Sequence, residues 1–144
     1  MDRGFALTSL ERYGEAASVL KEAASFPISS ATSSEDMQAV HFYLGICYAA
    51  LTETDLAKEG YLRAIGFSLG NETEAKARYR LGILYFMDRA FAQAKHHLES
   101  AVALPESVVD VQLRKDIYQQ LSRTCHYLGE FQKEQKYLTL THVP

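Results

Sequence analysis

The chain has 144 residues, a formal net charge of −3 and an apolar content of 47%, figures that suit one soluble globular domain and exclude a chain too polar to bury a core. It lacks the basic excess that phosphate neutralisation demands, so no nucleic-acid partner is expected. No run approaches the ~18 apolar residues of a membrane span, and Met1-Asp2-Arg3-Gly4-Phe5-Ala6-Leu7 has neither the apolar stretch nor the cleavage site of a secretory signal, so no membrane partner and a cytoplasmic location are expected.

Ala, Leu, Glu and Lys are common, Pro and Gly scarce with 3 and 8 copies, and apolar residues recur at helical spacing. An all-α chain follows. In chain order the expected helices are 5–11, 12–25, 35–51, 54–68, 72–87, 89–103, 107–127 and 130–140. The serine-rich stretch Phe26 to Ser33 reads as the one flexible connection, and the helix after it starts near Ser34. Asn71 with Glu74 three residues on has the spacing of a capping box. Asp88 reads as the N-cap of the helix carrying Phe91 and Ala94; Pro105 and Ser107 open a long helix that Gly129 ends.

An internal repeat organises these elements. Phe42-Tyr43-Leu44-Gly45-Ile46-Cys47-Tyr48 and Tyr79-Arg80-Leu81-Gly82-Ile83-Leu84-Tyr85 share Leu-Gly, two residues and Tyr. Thirteen residues after each Leu stands Ala57 or Ala94, four further on Tyr61 or Leu98, and three beyond those Ala64 or Ala101. Tyr13, Ala16, Leu20, Ala23 and Pro27 fit the second half of an earlier copy. A degraded later copy has Leu121-Ser122, Cys125, Glu134 and Leu138.

This pattern resembles the tetratricopeptide repeat (TPR) family over nearly the whole chain. The resemblance implies a right-handed superhelix of helical hairpins, about three and a half repeats in a single domain 1–144: a partial 1–27, then 35–69, 72–105 and 107–144. Leu44 to Leu81 spans 37 residues and Leu81 to Leu121 spans 40, longer than the commonest unit of about 34. Gly45 and Gly82 stand inside helices, where Gly costs about 1 kcal/mol against Ala, so each is expected at a close helix–helix approach, with Ala57 and Ala94 doing the same from the second helices. Because the chain opens partway through a repeat and closes on Tyr137-Leu138-Thr139-Leu140, one end is expected to be covered, by self-association or by further repeats.

Chemistry is not expected. His96 and His97 are adjacent, not at the three- or four-residue spacing of a metal pair on one helix. No Gly-rich phosphate loop, HExxH or GxSxG is present. Cys47 and Cys125 read as small buried hydrophobes. No enzyme, metal or cofactor is inferred. In TPR arrays the first helices of successive pairs line a concave groove, and register from the Leu-Gly marks places Phe42, Ile46, Lys76, Tyr79, Arg80, Ile83, Phe86 and Arg123 there as peptide-binding candidates. Ala39, Tyr43, Ala49, Asp116, Gln119, Gln120 and His126 share that register, and some of the aromatics could instead pack between repeats. Lys76 and Arg80 match two members of the carboxylate clamp of one TPR subgroup; Met1, Phe5 and Tyr43 stand at the other three places. The expectation is a protein-interaction module that takes a peptide or helix of another protein. The alternative is a structural or oligomerising segment of a larger scaffold.

Overall fold

The computed structural model describes residues 3–25 and 33–142, with side chains from residue 12 onward. Residues 26–32, with Pro27 and most of the serine-rich connection, lie outside the described residues, as do Met1 and the side chain of Phe5. The described residues form seven helices and no strand: α1 (Arg3–Ala24), α2 (Ser34–Ala50), α3 (Thr54–Gly66), α4 (Glu72–Met87), α5 (Phe91–Val102), α6 (Val111–Tyr127) and α7 (Phe131–Thr141). They belong to two compact units, Met1–Leu69 and Gly70–Pro144, whose boundary falls between the expected repeats 35–69 and 72–105.

In unit 1, α1 packs on α2 and α2 on α3. The break expected near residue 12 is absent. Ala16, Ala17, Leu20 and Ala24 continue one face onto Leu44 and Cys47 of α2, no Pro interrupts the segment, and Gly14 alone does not stop a helix whose apolar face runs on. Ser33 caps α2: its hydroxyl accepts from Asp36 N (3.1 Å), and its own N–H donates to the Asp36 carboxylate (3.3 Å), a reciprocal box. Helices α2 and α3 meet at two glycines. A Cβ on Gly60 would come within 2.9 Å of Gly45 N and of His41 O, and one on Gly45 within 2.6 Å of the Tyr61 ring. Across this contact the Gln38 amide donates to Ala64 O (3.3 Å).

Unit 2 consists of the hairpins α4–α5 and α6–α7, joined through α5 against α6, with α4 also touching α6. Its core is Ala75, Leu98, Ala101, Val109, Ile117, Leu121, Cys125 and Tyr137. A Cβ on Gly82 would come within 2.7 Å of Leu98 Cγ, so Gly82 sits at a close approach of α4 and α5. The Tyr137 hydroxyl donates to Glu99 (3.0 Å), and Lys95 of α5 spans both oxygens of Glu130 ahead of α7 (2.7 and 2.8 Å). Asn71 caps α4 by accepting from Glu74 N (3.0 Å), while the Glu74 carboxylate accepts from Gly70 N (3.1 Å) rather than from the cap residue itself.

Two expected starts move. Asp88 is the C-cap of α4 and not the N-cap of α5, which begins at Phe91 after Arg89 has turned the chain at φ 62°. Helix α6 begins at Val111 rather than 107, because the Asp110 carboxylate accepts from Leu113 N (2.7 Å) and sets the first turn there.

The hairpin turns of α2–α3, α4–α5 and α6–α7 are built alike. Eight residues after Leu44, Leu81 and Leu121 stand Thr52, Arg89 and Gly129, all left-handed at φ 61°, 62° and 74°. The next residue donates back to Tyr48 O (2.8 Å), Tyr85 O (2.8 Å) and Cys125 O (2.9 Å) respectively. The repeat read from side-chain spacing therefore recurs in the backbone.

Candidate functional site

The eight candidate residues divide between the units. In unit 1, Phe42 is only 6% exposed and lies against Tyr43 and Tyr61 (ring centroids 5.4 and 6.0 Å). Its expected place in a groove is corrected: the ring belongs to the interior of the α2–α3 hairpin, because the large residue of α3, Tyr61, closes over it. Ile46 is half-buried on α2. Its exposed neighbour in the same register is Tyr43.

In unit 2, α4 supplies Lys76, Tyr79, Arg80, Ile83 and Phe86, and α6 supplies Arg123. Tyr79 is half-buried against the core cluster. Burial foremost raises the pKa of its phenol and Asp116 adds to this, while Arg80 and Arg123 act in the opposite sense. Tyr79, Asp116 and the two guanidinium groups thus share one electrostatic neighbourhood built from α4 and α6. Arg80 and Arg123 are exposed and form no ion pair among the described residues. Lys76 is exposed and spends its charge on Glu72, one turn earlier (2.8 Å), so it is a weaker candidate than Arg80 for an external anion. In the α6 register, Gln120 is buried, Asp116 accepts from Gln112 (3.0 Å), and His126 meets Glu134 (3.2 Å).

Phe86 leads into an aromatic cluster that side-chain register alone missed. Its ring meets Phe91 edge-on (5.4 Å) and Tyr127 edge-on (5.5 Å), and Phe91 and Tyr127 stack with centroids 4.8 Å apart and planes 5° apart. His126 extends the cluster to Tyr127 (5.6 Å) and Phe131 (6.0 Å). A signal for it was present: Phe91 and Phe131 both stand ten residues after the repeat leucine. No protein-family model matches the chain, and no curated protein matches it.

A second polar cluster lies on the other side of α4. Glu74, buried, receives Arg78 Nε (3.3 Å), and Arg78 Nη1 donates to His97 Nδ1 (3.3 Å). The His97 ring stacks on Tyr85 at 5.6 Å. Burial foremost, then His96 and Arg78, push the His97 pKa down to about 4. A neutral imidazole that accepts from a guanidinium is a packed structural partner, and its bonds stay inside the α4–α5 hairpin. The α4 and α6 surface carries other groups: ring faces, an isoleucine, and the guanidinium groups of Arg80 and Arg123, which form no ion pair among the described residues.

Proposed function

We propose that the chain is a tetratricopeptide-type array of helical hairpins that binds a segment of another protein, an extended peptide or an amphipathic helix, along its first helices. One observation carries the reading. In unit 2 the first helices of two successive hairpins, α4 and α6, touch, and together they set Tyr79, Arg80 and Arg123 in a common neighbourhood with Ile83 and Phe86 on the same helix as Tyr79. Half-buried aromatics beside unpaired arginines are the side chains that dominate protein interfaces, and a helix or extended segment with a hydrophobic anchor is the partner such a surface takes.

The test begins with a photo-crosslinker in place of Ile83, to trap the partner in cells. The purified partner is then titrated against wild type, Tyr79→Ala and the pair Lys76→Ala with Arg80→Ala. Losing Tyr79 is expected to cost about 2 kcal/mol, roughly 30-fold in Kd. The loss from the charge pair is expected to be smaller and to shrink with added salt, because exposed charges are screened. Folded variants that bind as tightly as wild type would overturn the reading and leave the structural or oligomerising role, which light scattering over a concentration series would then measure.

A further inference from the structure

Unit 2 carries an exposed aromatic edge at its hairpin turns, beyond the helix faces just considered. Phe91 and Phe131 each open a second helix, at the place where unit 1 has Thr54. Tyr127 stacks on Phe91 yet stays 56% exposed, and Phe131 and Met87 are 60% and 70% exposed. Apolar side chains gathered like this on a surface mark interaction sites, and aromatic residues and Met are the types enriched at interface centres.

The charge beside this edge is one-sided. Glu130 is held by Lys95 and Lys133 (2.7 and 3.6 Å), and Glu134 meets His126. Arg89, in the turn before Phe91, and Arg123, one helical turn before Tyr127, are exposed and form no ion pair among the described residues. Glu130 and Glu134 are therefore already paired, whereas Arg89 and Arg123 form no ion pair among the described residues.

We propose that this edge is the docking site for a short acidic segment of another protein that carries an aromatic or large aliphatic anchor. The anchor lies against Tyr127 and Phe131, which the His126 ring links, and flanking carboxylates meet Arg123 and Arg89. Charge selects this occupant: a basic segment meets unpaired arginines, and a second copy docking by the same edge sets Arg89 and Arg123 against themselves. Size agrees. At 150–250 Å² per aromatic side chain, the exposed parts of the edge amount to a few hundred Å², short of the ~800 Å² per partner of a stable dimer and suited to a peptide. The inference rests on the interaction-module reading and extends it from the helix faces to the turns.

The full-length chain, labelled with nitrogen-15, is titrated by NMR with three synthetic twelve-residue peptides. The first has four Glu around one Phe in a Gly/Ser background, the second replaces the Phe with Ser, and the third replaces the Glu with Lys. The first is expected to move the amide signals of Phe91, Tyr127 and Phe131, and either replacement to weaken its Kd at least tenfold. The double variant Tyr127→Ser with Phe131→Ser, checked for an unchanged helical spectrum, is expected to lose binding tenfold or more. Arg123→Glu is expected to turn the preference towards the Lys peptide. Equal response to all three peptides, or no response at these amides, overturns the proposal. Movement confined to Tyr79 and Ile83 refutes the edge and leaves the α4–α6 reading standing, movement at neither place refutes both, and a dimer that Phe131→Ser abolishes assigns the edge to self-association instead.

Discussion

At the scale of single residues, Gly60 and Gly82 set how tightly their hairpins close. Gly60 is the least replaceable, because a Cβ there meets backbone, Gly45 N and His41 O, whereas a Cβ on Gly82 meets the side chain of Leu98. Gly60→Ala is expected to destabilise by about 1–3 kcal/mol through overpacking, and more than Gly82→Ala. Gly66, with nothing within 4 Å, serves as the control: Gly66→Ala is expected to be neutral or to stabilise by up to about 1 kcal/mol. Thermal midpoints of the three variants decide it, and an unchanged midpoint for Gly60→Ala would contradict the glycine contact. Thr52 holds φ 61° where the third hairpin has Gly129, and left-handed backbone is costly for a β-branched residue. Thr52→Gly is expected to raise the midpoint and Gly129→Thr to lower it.

His97 gives the fold a pH dependence whose sign is set by its neutral form. In the folded chain burial pushes its pKa down to about 4, against about 6.5 for an ordinary histidine. Between these values the unfolded chain binds more protons, so stability rises with pH there. The contribution is complete above pH 6.5 and is lost as pH falls towards 4. His97→Phe, which keeps a ring over Tyr85, is expected to show a smaller drop in thermal midpoint between pH 7 and pH 4.5 than wild type. Identical drops would show that His97 is not a source of the slope.

At the scale of helices, the hairpins begin and end by different means. The first helices α2, α4 and α6 start on side-chain caps, Ser33, Asn71 and Asp110, whereas α3, α5 and α7 start on Glu53, Ala90 and Glu130 with no side-chain cap bond. The second helices are started instead by the shared left-handed turn and its backbone bond to the helix before. Asn71→Ala therefore removes a bond that nothing else supplies, and is expected to cost about 1 kcal/mol. Urea unfolding should show a lower midpoint with an unchanged slope; no shift would mean that the Glu74 carboxylate on Gly70 N suffices to start α4.

At the scale of the molecule, each unit has its own interior. The core of unit 2 draws on all four of its helices, from Ala75 of α4 and Leu98 of α5 to Leu121 of α6 and Tyr137 of α7. Lys95–Glu130 and Tyr137–Glu99 tie the two hairpins to each other. The fragment 70–144 is accordingly expected to fold alone, with a helical circular-dichroism spectrum and one cooperative thermal transition. A helical signal that fades without a transition would show that this core needs unit 1.

The all-helical class, the hairpin register and the close approaches at Gly45 and Gly82 were legible in the sequence, because helix packing is written as spacing: a small residue on one helix must stand opposite a large one on the next, as Gly82 does with Leu98 and Gly45 with Tyr61. The asparagine cap was legible for the same local reason, since its bond joins Asn71 to Glu74 three residues on. The unbroken α1 was not, because its continuation depends on the face that α2 offers to Ala17 and Leu20. Nor was the fate of Phe42, which shares its repeat position with Tyr79: Tyr61 covers the one, while the other faces the charges of α6. The aromatic edge was decided by tertiary structure in the same way. Phe86, Phe91 and Tyr127 come from three helices, and only the packing of α5 against α6 brings their rings within 5.5 Å of one another. Spacing along one helix states which face a residue is on; whether that face is covered depends on a side chain far away in the chain.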